Sequence, residues 1–146
     1  GAYSYSEGLE SLITQGEIAS AESLAWWLIR ELNYGAIRLE AAIMLRAYLS
    51  VIAGDIQTLD DWNSWSSAAK ESSELRYQSW QMGTSLLRLL IDLQPQTDDH
   101  LPTIKQLAQI LGRQCNYSVA FGIGAAYWKL NSYSGQRQFT CRHTFL

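Results

Sequence analysis

The segment between Lys70 and Leu93 limits the possible folds of this chain more than any other part of the sequence. Residues recur along it at spacings of three and four, the spacing that places side chains on one side of an α-helix. Two largely apolar stripes lie next to each other there, beside a third, polar stripe. The first holds Leu75, Ser79, Met82, Leu86, Leu89 and Leu93, and the second holds Arg76, Trp80, Gly83, Leu87 and Leu90. A helix with two adjacent apolar stripes predicts a place in the middle of a helical bundle, with neighbours on two sides. We expect Gly83 to let the backbone of one neighbour come close.

The rest of the chain has the same periodicity, and no stretch alternates apolar and polar residues for long enough to predict a sheet. Cap and turn residues divide it into seven predicted helices, over about 4–16, 20–33, 36–53, 58–65, 70–93, 102–112 and 118–130. The first, second and fourth of these are predicted to start at Ser4, Ser20 and Thr58. We therefore expect an all-α, single-domain bundle of about seven helices over residues 1–130. Residues 131–146 lack an apolar period, which predicts an irregular tail. Since residue 1 is Gly and not Met, we also expect the sequence to begin inside a longer protein.

Composition argues against several classes of function. The net charge is −3 and no Lys/Arg cluster is present, which argues against nucleic-acid binding. No apolar run approaches the ~20 residues that a membrane span needs, no leader opens the chain, and two cysteines are too few for a disulfide framework. We expect a cytoplasmic protein. Only 17% of residues are charged, yet there are six Trp and eight Tyr, a balance typical of protein contact surfaces and also of an aromatic core.

Few residues are candidates for a catalytic, metal-binding or modification site. The acidic pairs Asp60–Asp61 and Asp98–Asp99 are interpreted as carboxylates at or before helix N-termini that cap free amides, because no further ligand pattern accompanies them. The spacing of the cysteines and histidines matches no zinc signature; these residues are Cys115, Cys141, His100 and His143. Asn116, Tyr117 and Ser118 form a glycosylation sequon, but Ser118 is better explained as a helix cap. We expect no catalytic residue, no cofactor and no metal site.

Arg76 does not fit an apolar stripe, because an unpaired guanidinium is costly to remove from water. It should therefore have a partner. One hypothesis is a salt bridge to a carboxylate on a neighbouring helix, and the other is an arginine held at a protein interface.

Three stretches resemble the UreF family of urease accessory proteins. Residues 1–10, GAYSYSEGLE, resemble the opening motif of that family, and residues 73–83, SELRYQSWQMG, resemble its central helix. Residues 121–128, FGIGAAYW, resemble a later small-residue helix, with Gly124 and Tyr127 where Ala and His are more usual. Order and spacing agree up to Leu130, whereas the tail does not look like the family's continuation. The motif or partner-binding residues that the resemblance implies are Tyr5, Ser6, Gly8, Leu9, Glu10, Glu74, Arg76, Gln81, Met82 and Gly83.

The resemblance implies an all-helical, usually dimeric adaptor that catalyses nothing and holds no permanent metal. It implies that the adaptor bridges UreD (also called UreH) and the GTPase UreG while nickel is loaded into apo-urease. Two other classes stay open on the sequence. One is an unrelated helical scaffold with aromatic contact surfaces, which would not bind the urease machinery. The other is a small helical metal-dependent enzyme using the Asp pairs or the Cys and His residues, which would retain metal or turn over a substrate.

Overall fold

The computed structural model describes residues 5–93 and 101–142. Within these ranges it describes every side chain except those of residues 5–9, 31, 32, 34 and 130–142. Seven α-helices and one short 3-10 turn, Gly112–Gln114, make up this part, and no strand occurs in it. The expected all-α fold of about seven helices is confirmed. The helices are α1 (Tyr5–Thr14), α2 (Ala21–Tyr34), α3 (Ala36–Ala53), α4 (Ile56–Ala68), α5 (Ser73–Leu93), α6 (Ile104–Leu111) and α7 (Tyr117–Arg142).

Several predicted helix ends are confirmed. The Ser20 hydroxyl accepts a hydrogen bond from the backbone N–H of Ser23 at 3.1 Å, as a residue that caps α2 should. Helix α3 ends at Gly54, whose φ of +69° is the left-handed conformation that favours glycine. Helix α6 ends at Gly112, also at positive φ. The proposed Ser4 cap of α1 lies outside the described residues.

The start of α4 differs from the prediction. Its cap is Asp55, not Thr58: the Asp55 carboxylate accepts from the backbone N–H of Thr58 at 3.0 Å and from its hydroxyl at 2.7 Å. These hydrogen bonds hold the pKa of Asp55 below its ordinary value. Asp60 and Asp61 therefore lie inside the helix, where Asp61 accepts from the side-chain amide of Gln57 at 2.9 Å. The interpretation of this acidic pair as a helix cap was wrong, because the sequence offers an earlier carboxylate.

The starts of α6 and α7 also differ. Thr103, the residue after Pro102, caps α6: its side chain accepts from the Gln106 N–H, and the Gln106 side chain accepts from the Thr103 N–H, a reciprocal capping box. Helix α7 begins at Tyr117, so Ser118 lies inside it and is buried. The prediction that Ser118 is a cap was wrong.

Helix α7, not α5, occupies the middle of the bundle. It packs against α3 on one side and α5 on the other. Gly122 of α7 lies against the α3 backbone at Met44, and Gly124 lies against the side chain of Leu90 on α5. In α5 the second stripe is buried through Gly83, Leu87 and Leu90. The first stripe is largely exposed, so the prediction that both stripes are covered by neighbours was wrong.

The core forms where α3, α4, α5, α6 and α7 meet. It consists of Ile43, Ala47, Val51, Leu59, Leu87, Leu90, Ile104, Leu107, Leu111, Cys115, Val119, Ala120, Ile123, Ala126 and Tyr127. Five of these fifteen come from the first eleven residues of α7, and all five are 0% exposed. The buried Tyr127 hydroxyl donates to the Pro102 carbonyl, which ties α7 to the segment that precedes α6.

The predicted irregular tail was wrong for residues 131–142, because α7 runs without interruption from Tyr117 to Arg142. No proline follows Pro102, and the Gln and Arg residues in this part are good helix formers. A missing apolar period predicts only that no side of the helix is buried; it does not end a helix. Residues 143–146 lie outside the described part of the chain.

Within residues 5–93 and 101–142, no helix combines the length and the apolar character that crossing a membrane would demand.

Candidate partner-binding surfaces and the packing beneath them

The five motif residues on α5 divide into two groups. Arg76 and Gly83 point at neighbouring elements, where they make tertiary contacts. Glu74, Gln81 and Met82 are exposed, and the Gln81 amide donates to the Tyr77 hydroxyl of the same helix at 2.8 Å. The motif therefore contains two residues that hold the bundle together and three that are accessible to a partner.

Gly83 lies where α5 comes closest to the start of α7. A Cβ atom at this position would be 2.1 Å from the carbonyl oxygen of Cys115 and 2.9 Å from that of Asn116. Both are backbone atoms, which cannot rotate away as the end of a side chain can. This close contact therefore requires glycine at residue 83, in spite of its cost of ~1 kcal/mol in helix propensity.

A buried polar cluster of Asn63, Ser67 and Asn116 joins α4 to the start of α7. The Asn116 backbone N–H donates to Asn63 Oδ1 at 2.9 Å, and its side-chain amide donates to the Asn63 carbonyl at 3.0 Å and to Ser67 Oγ at 2.7 Å. Asn63 donates in turn to the Gln114 carbonyl at 2.9 Å. The sequence analysis missed this cluster. The available signal was Asn63 itself, which shares an α4 face with the buried residues Leu59 and Ser66.

Ser67 also receives two hydrogen bonds from α5. Arg76 Nε donates to the Ser67 carbonyl at 3.0 Å, and Trp80 Nε1 donates to Ser67 Oγ at 2.9 Å. Ser67 lies in the last turn of α4, where carbonyls lack partners within their own helix. Arg76 thus has the partner that was expected of it, but this partner is a backbone carbonyl and not a carboxylate. Its role at an interface stays a prediction.

Glu40 connects three parts of the bundle. Its carboxylate forms an ion pair with Lys70, just before α5, and accepts a hydrogen bond from the Ser118 hydroxyl of α7. Glu40 and Lys70 are both partly buried. An ion pair that is partly shielded from water is screened less than an exposed one. The ion pair therefore fixes α3 against the segment before α5, and the hydrogen bond from Ser118 fixes α3 against α7.

Cys115 is not suited to act as a nucleophile or a metal ligand. Its side chain is fully buried in the core, and burial raises the pKa of the thiol from 9.0 to about 12. The thiolate, which is the form that attacks or binds metal, is therefore negligible near neutral pH. In the described residues no three His, Cys, Asp or Glu come together as a metal site. Asp98, Asp99, His100 and His143, and the side chain of Cys141, lie outside what the structure describes, so the absence of a metal site stays a prediction.

One exposed apolar surface lies on α2, and we call it the α2 face. It consists of Trp26 and Ile29, one helical turn apart, with the exposed charges of Glu22 and Arg30 beside them. The Trp26 side chain is 64% exposed. An exposed aromatic residue next to charged ones is a common arrangement in a protein-binding surface.

A second apolar surface is the α5–α7 groove, a depression of about 310 Å³ between the two helices. All seven residues that line it are uncharged. They are Leu86, Leu90 and Leu93 from α5 and Phe121, Gly124, Ala125 and Trp128 from α7. A partner for such a groove must be apolar, because a charged group placed there would lose water and gain no counter-charge.

Residues 5–10 of the N-terminal motif lie in α1, and the side chains of Tyr5, Ser6, Gly8 and Leu9 are outside the described set. Glu10 is exposed, and its carbonyl accepts from the Thr14 hydroxyl at 2.8 Å. A partner-binding role for these five residues stays a prediction.

Comparison with known proteins gives a consistent result. The UreF family model matches residues 18–142. A urease accessory protein UreF from Nostoc sp. is 53% identical over 131 residues, which cover 90% of this chain and 54% of that protein. The UreF of Microcystis aeruginosa is 48% identical over 89% of this chain and 54% of that protein. The UreF of Synechocystis sp. is 42% identical over 90% of this chain and 57% of that protein. The chain therefore spans about half the length of these curated relatives. No solved structure matches it significantly.

Proposed function

Because this chain belongs to the UreF family of urease accessory proteins, we propose that it works in urease maturation as a protein-binding adaptor. The family is named for an accessory role and not for a reaction. The match also removes the hypothesis of an unrelated helical scaffold. The match to the family model extends to residue 142.

The α2 face carries this proposal. Helix α2 packs against α3, yet Trp26 and Ile29 remain exposed. Tryptophan and its apolar neighbours contribute a large share of binding energy at protein interfaces when a partner covers them. A chain whose most exposed Trp sits between charges on a peripheral helix is suited to binding another protein.

In its finer form, the proposed adaptor bridges UreD (UreH) and the GTPase UreG while nickel enters apo-urease, and it does so in the cytoplasm as a homodimer. Nickel is then the cargo of the whole assembly. This role needs no metal ligand in the chain itself. The exposed motif residues Glu74, Gln81 and Met82 are candidates for further contacts.

A chimera tests the proposal in a full-length protein. In the Nostoc UreF, the region that aligns with residues 18–142 of this chain is replaced by those residues. We expect the chimera to co-purify with UreD and UreG and to restore urease activity in cells that lack their own UreF. A folded chimera that does neither would overturn the adaptor function.

A matched pair of substitutions in the chimera tests the α2 face. Trp26→Ala should lower the recovery of partner proteins at least tenfold, because it removes a large exposed apolar contact. Trp65→Ala is the control, since Trp65 on α4 is also exposed, at 48%. Equal recovery with both variants would show that the α2 face does not bind these partners, even if the chimera still restores urease.

A further inference from the structure

Helix α7 carries an apolar stripe on a side that no helix covers within residues 5–93 and 101–142. Tyr117, Phe121, Ala125 and Trp128 follow each other at steps of four, four and three, and all four are exposed. The other sides of the same turns are buried between α3 and α5. Solvent-exposed sides of helices are ordinarily polar, so an apolar outer side on the most buried helix needs an explanation.

Helix α5 carries a matching stripe beside it. Met82, Leu89 and Leu93 are exposed, and Leu86 is half-buried between them. Gly83 lies against residues 115 and 116, and Leu90 lies against Gly124, so α5 and α7 run side by side in the same direction. Because eleven steps separate the first and last residues of the α7 stripe, the surface is ~16 Å long at 1.5 Å per residue. Three turns of a further helix would fit along it.

The lengths of the relatives indicate what covers this surface. The chain matches only 54% of the UreF proteins from Nostoc and Microcystis, so almost half of each relative lies outside the match. That remaining part must bury its own apolar residues somewhere. A groove lined by seven uncharged residues, open between two parallel helices, is a suitable surface for it.

We propose that the α5–α7 groove is an internal packing surface of UreF proteins, on which an amphipathic helix from the part outside the matched region lies. It is thus distinct from the α2 face, which we propose as the surface that binds the accessory partners. Its anchors are Leu93, Phe121 and Trp128, with the small exposed residue Ala125 leaving room for the added helix. This inference does not depend on the proposed function, because it concerns packing within one polypeptide.

Thiol labelling tests the proposal in two proteins that differ in length. Leu93→Cys and Leu45→Cys are made in the 146-residue chain with Cys141 replaced by Ser, and at the aligned positions of the full-length Nostoc UreF freed of its own reactive cysteines. The two leucines are matched, since Leu93 is 56% exposed in the groove and Leu45 is 55% exposed on α3. Ala125→Cys provides a second reporter in the groove at a small residue.

In the 146-residue chain, a maleimide should label all three positions at similar rates. In the full-length relative, the positions aligned with Leu93 and Ala125 should react at least fivefold more slowly than the position aligned with Leu45. A smaller ratio would overturn the proposal. Two other outcomes would assign the groove to a second copy of the chain and would also overturn the proposal. One is slow labelling of the groove positions in the 146-residue chain, and the other is protection in the full-length relative that is lost on dilution. No urease activity enters the measurement, so failure here is distinct from failure of the adaptor function.

Discussion

Asn116 donates its side-chain amide to both the carbonyl and Oδ1 of Asn63, at 3.0 and 3.1 Å, across 53 residues of sequence. Both asparagines are buried. This contact connects the middle of α4 to the residue that precedes α7, beside the site where Gly83 of α5 makes its close approach. Three helices are therefore positioned at one point of the fold.

A double-mutant cycle should show that the two asparagines act together. Asn63→Ala and Asn116→Ala should each cost about 1–3 kcal/mol in the free energy of unfolding, because each leaves buried polar groups without partners. The double variant should cost less than the sum by about 1 kcal/mol or more. Urea denaturation provides the measurement, with the exposed Asn33→Ala as the control. Additive losses would show that the two side chains are not coupled.

Two leucines on either side of Arg88 should distinguish the buried stripe of α5 from its exposed stripe. Leu87 is 2% exposed in the core, whereas Leu89 is largely exposed. Leu87→Ala should cost roughly 2–5 kcal/mol, the range for buried leucines. Leu89→Ala should change stability by less than ~0.5 kcal/mol in the 146-residue chain. Similar losses for both would indicate that the first stripe is covered in solution, by self-association for example.

The sequence predicted the helices well because periodicity and caps are local properties. The bounds of α3 were predicted from Ala36 to Ala53, and Gly54 ends it as expected. Which helix is central could not be predicted in this way. An apolar stripe is the same in sequence whether a neighbour covers it or not, and only the three-dimensional arrangement shows that Met82 and Leu93 stay exposed.

The polar contacts inside the bundle could not be predicted for a related reason. Arg76 was expected to have a partner, but nothing in the sequence relates it to the Ser67 carbonyl, because helix ends satisfy their free carbonyls according to tertiary packing. Gly83 was expected to allow a close approach, and it does. Gly83 approaches Cys115 and Asn116. The sequence analysis considered Cys115 only as a metal ligand and Asn116 only as part of a sequon, and it did not predict their structural role.

Alkaline pH should destabilise the fold through Cys115. Burial raises the pKa of this thiol from 9.0 to about 12. Between these values the folded state keeps a proton that the unfolded state has lost, so the free energy of unfolding falls as pH rises above about 9. The fall between about pH 8 and pH 10.5 should be smaller in Cys115→Ala, while Tyr127, whose pKa burial also raises to about 12, contributes equally to both. Parallel stability curves for the two proteins would contradict this origin of the effect.

Gly83 should be the motif residue least tolerant of an added side chain. Alanine is the better helix former by ~1 kcal/mol, so on local grounds Gly83→Ala would stabilise α5. Its Cβ would meet the Cys115 carbonyl oxygen at 2.1 Å, however, and relief requires a shift of α5 away from the start of α7. We expect a net loss of about 1–3 kcal/mol for Gly83→Ala and a larger loss for Gly83→Leu. Thermal or urea denaturation measures this, with Ser85→Ala on the exposed side of α5 as the control.

Partner recovery by the Nostoc chimera should fall only as far as its folded fraction does, because Gly83 supports the exposed residues and does not itself contact a partner. A stable Gly83→Ala variant that no longer binds partners would contradict this role and would place residue 83 in the interface.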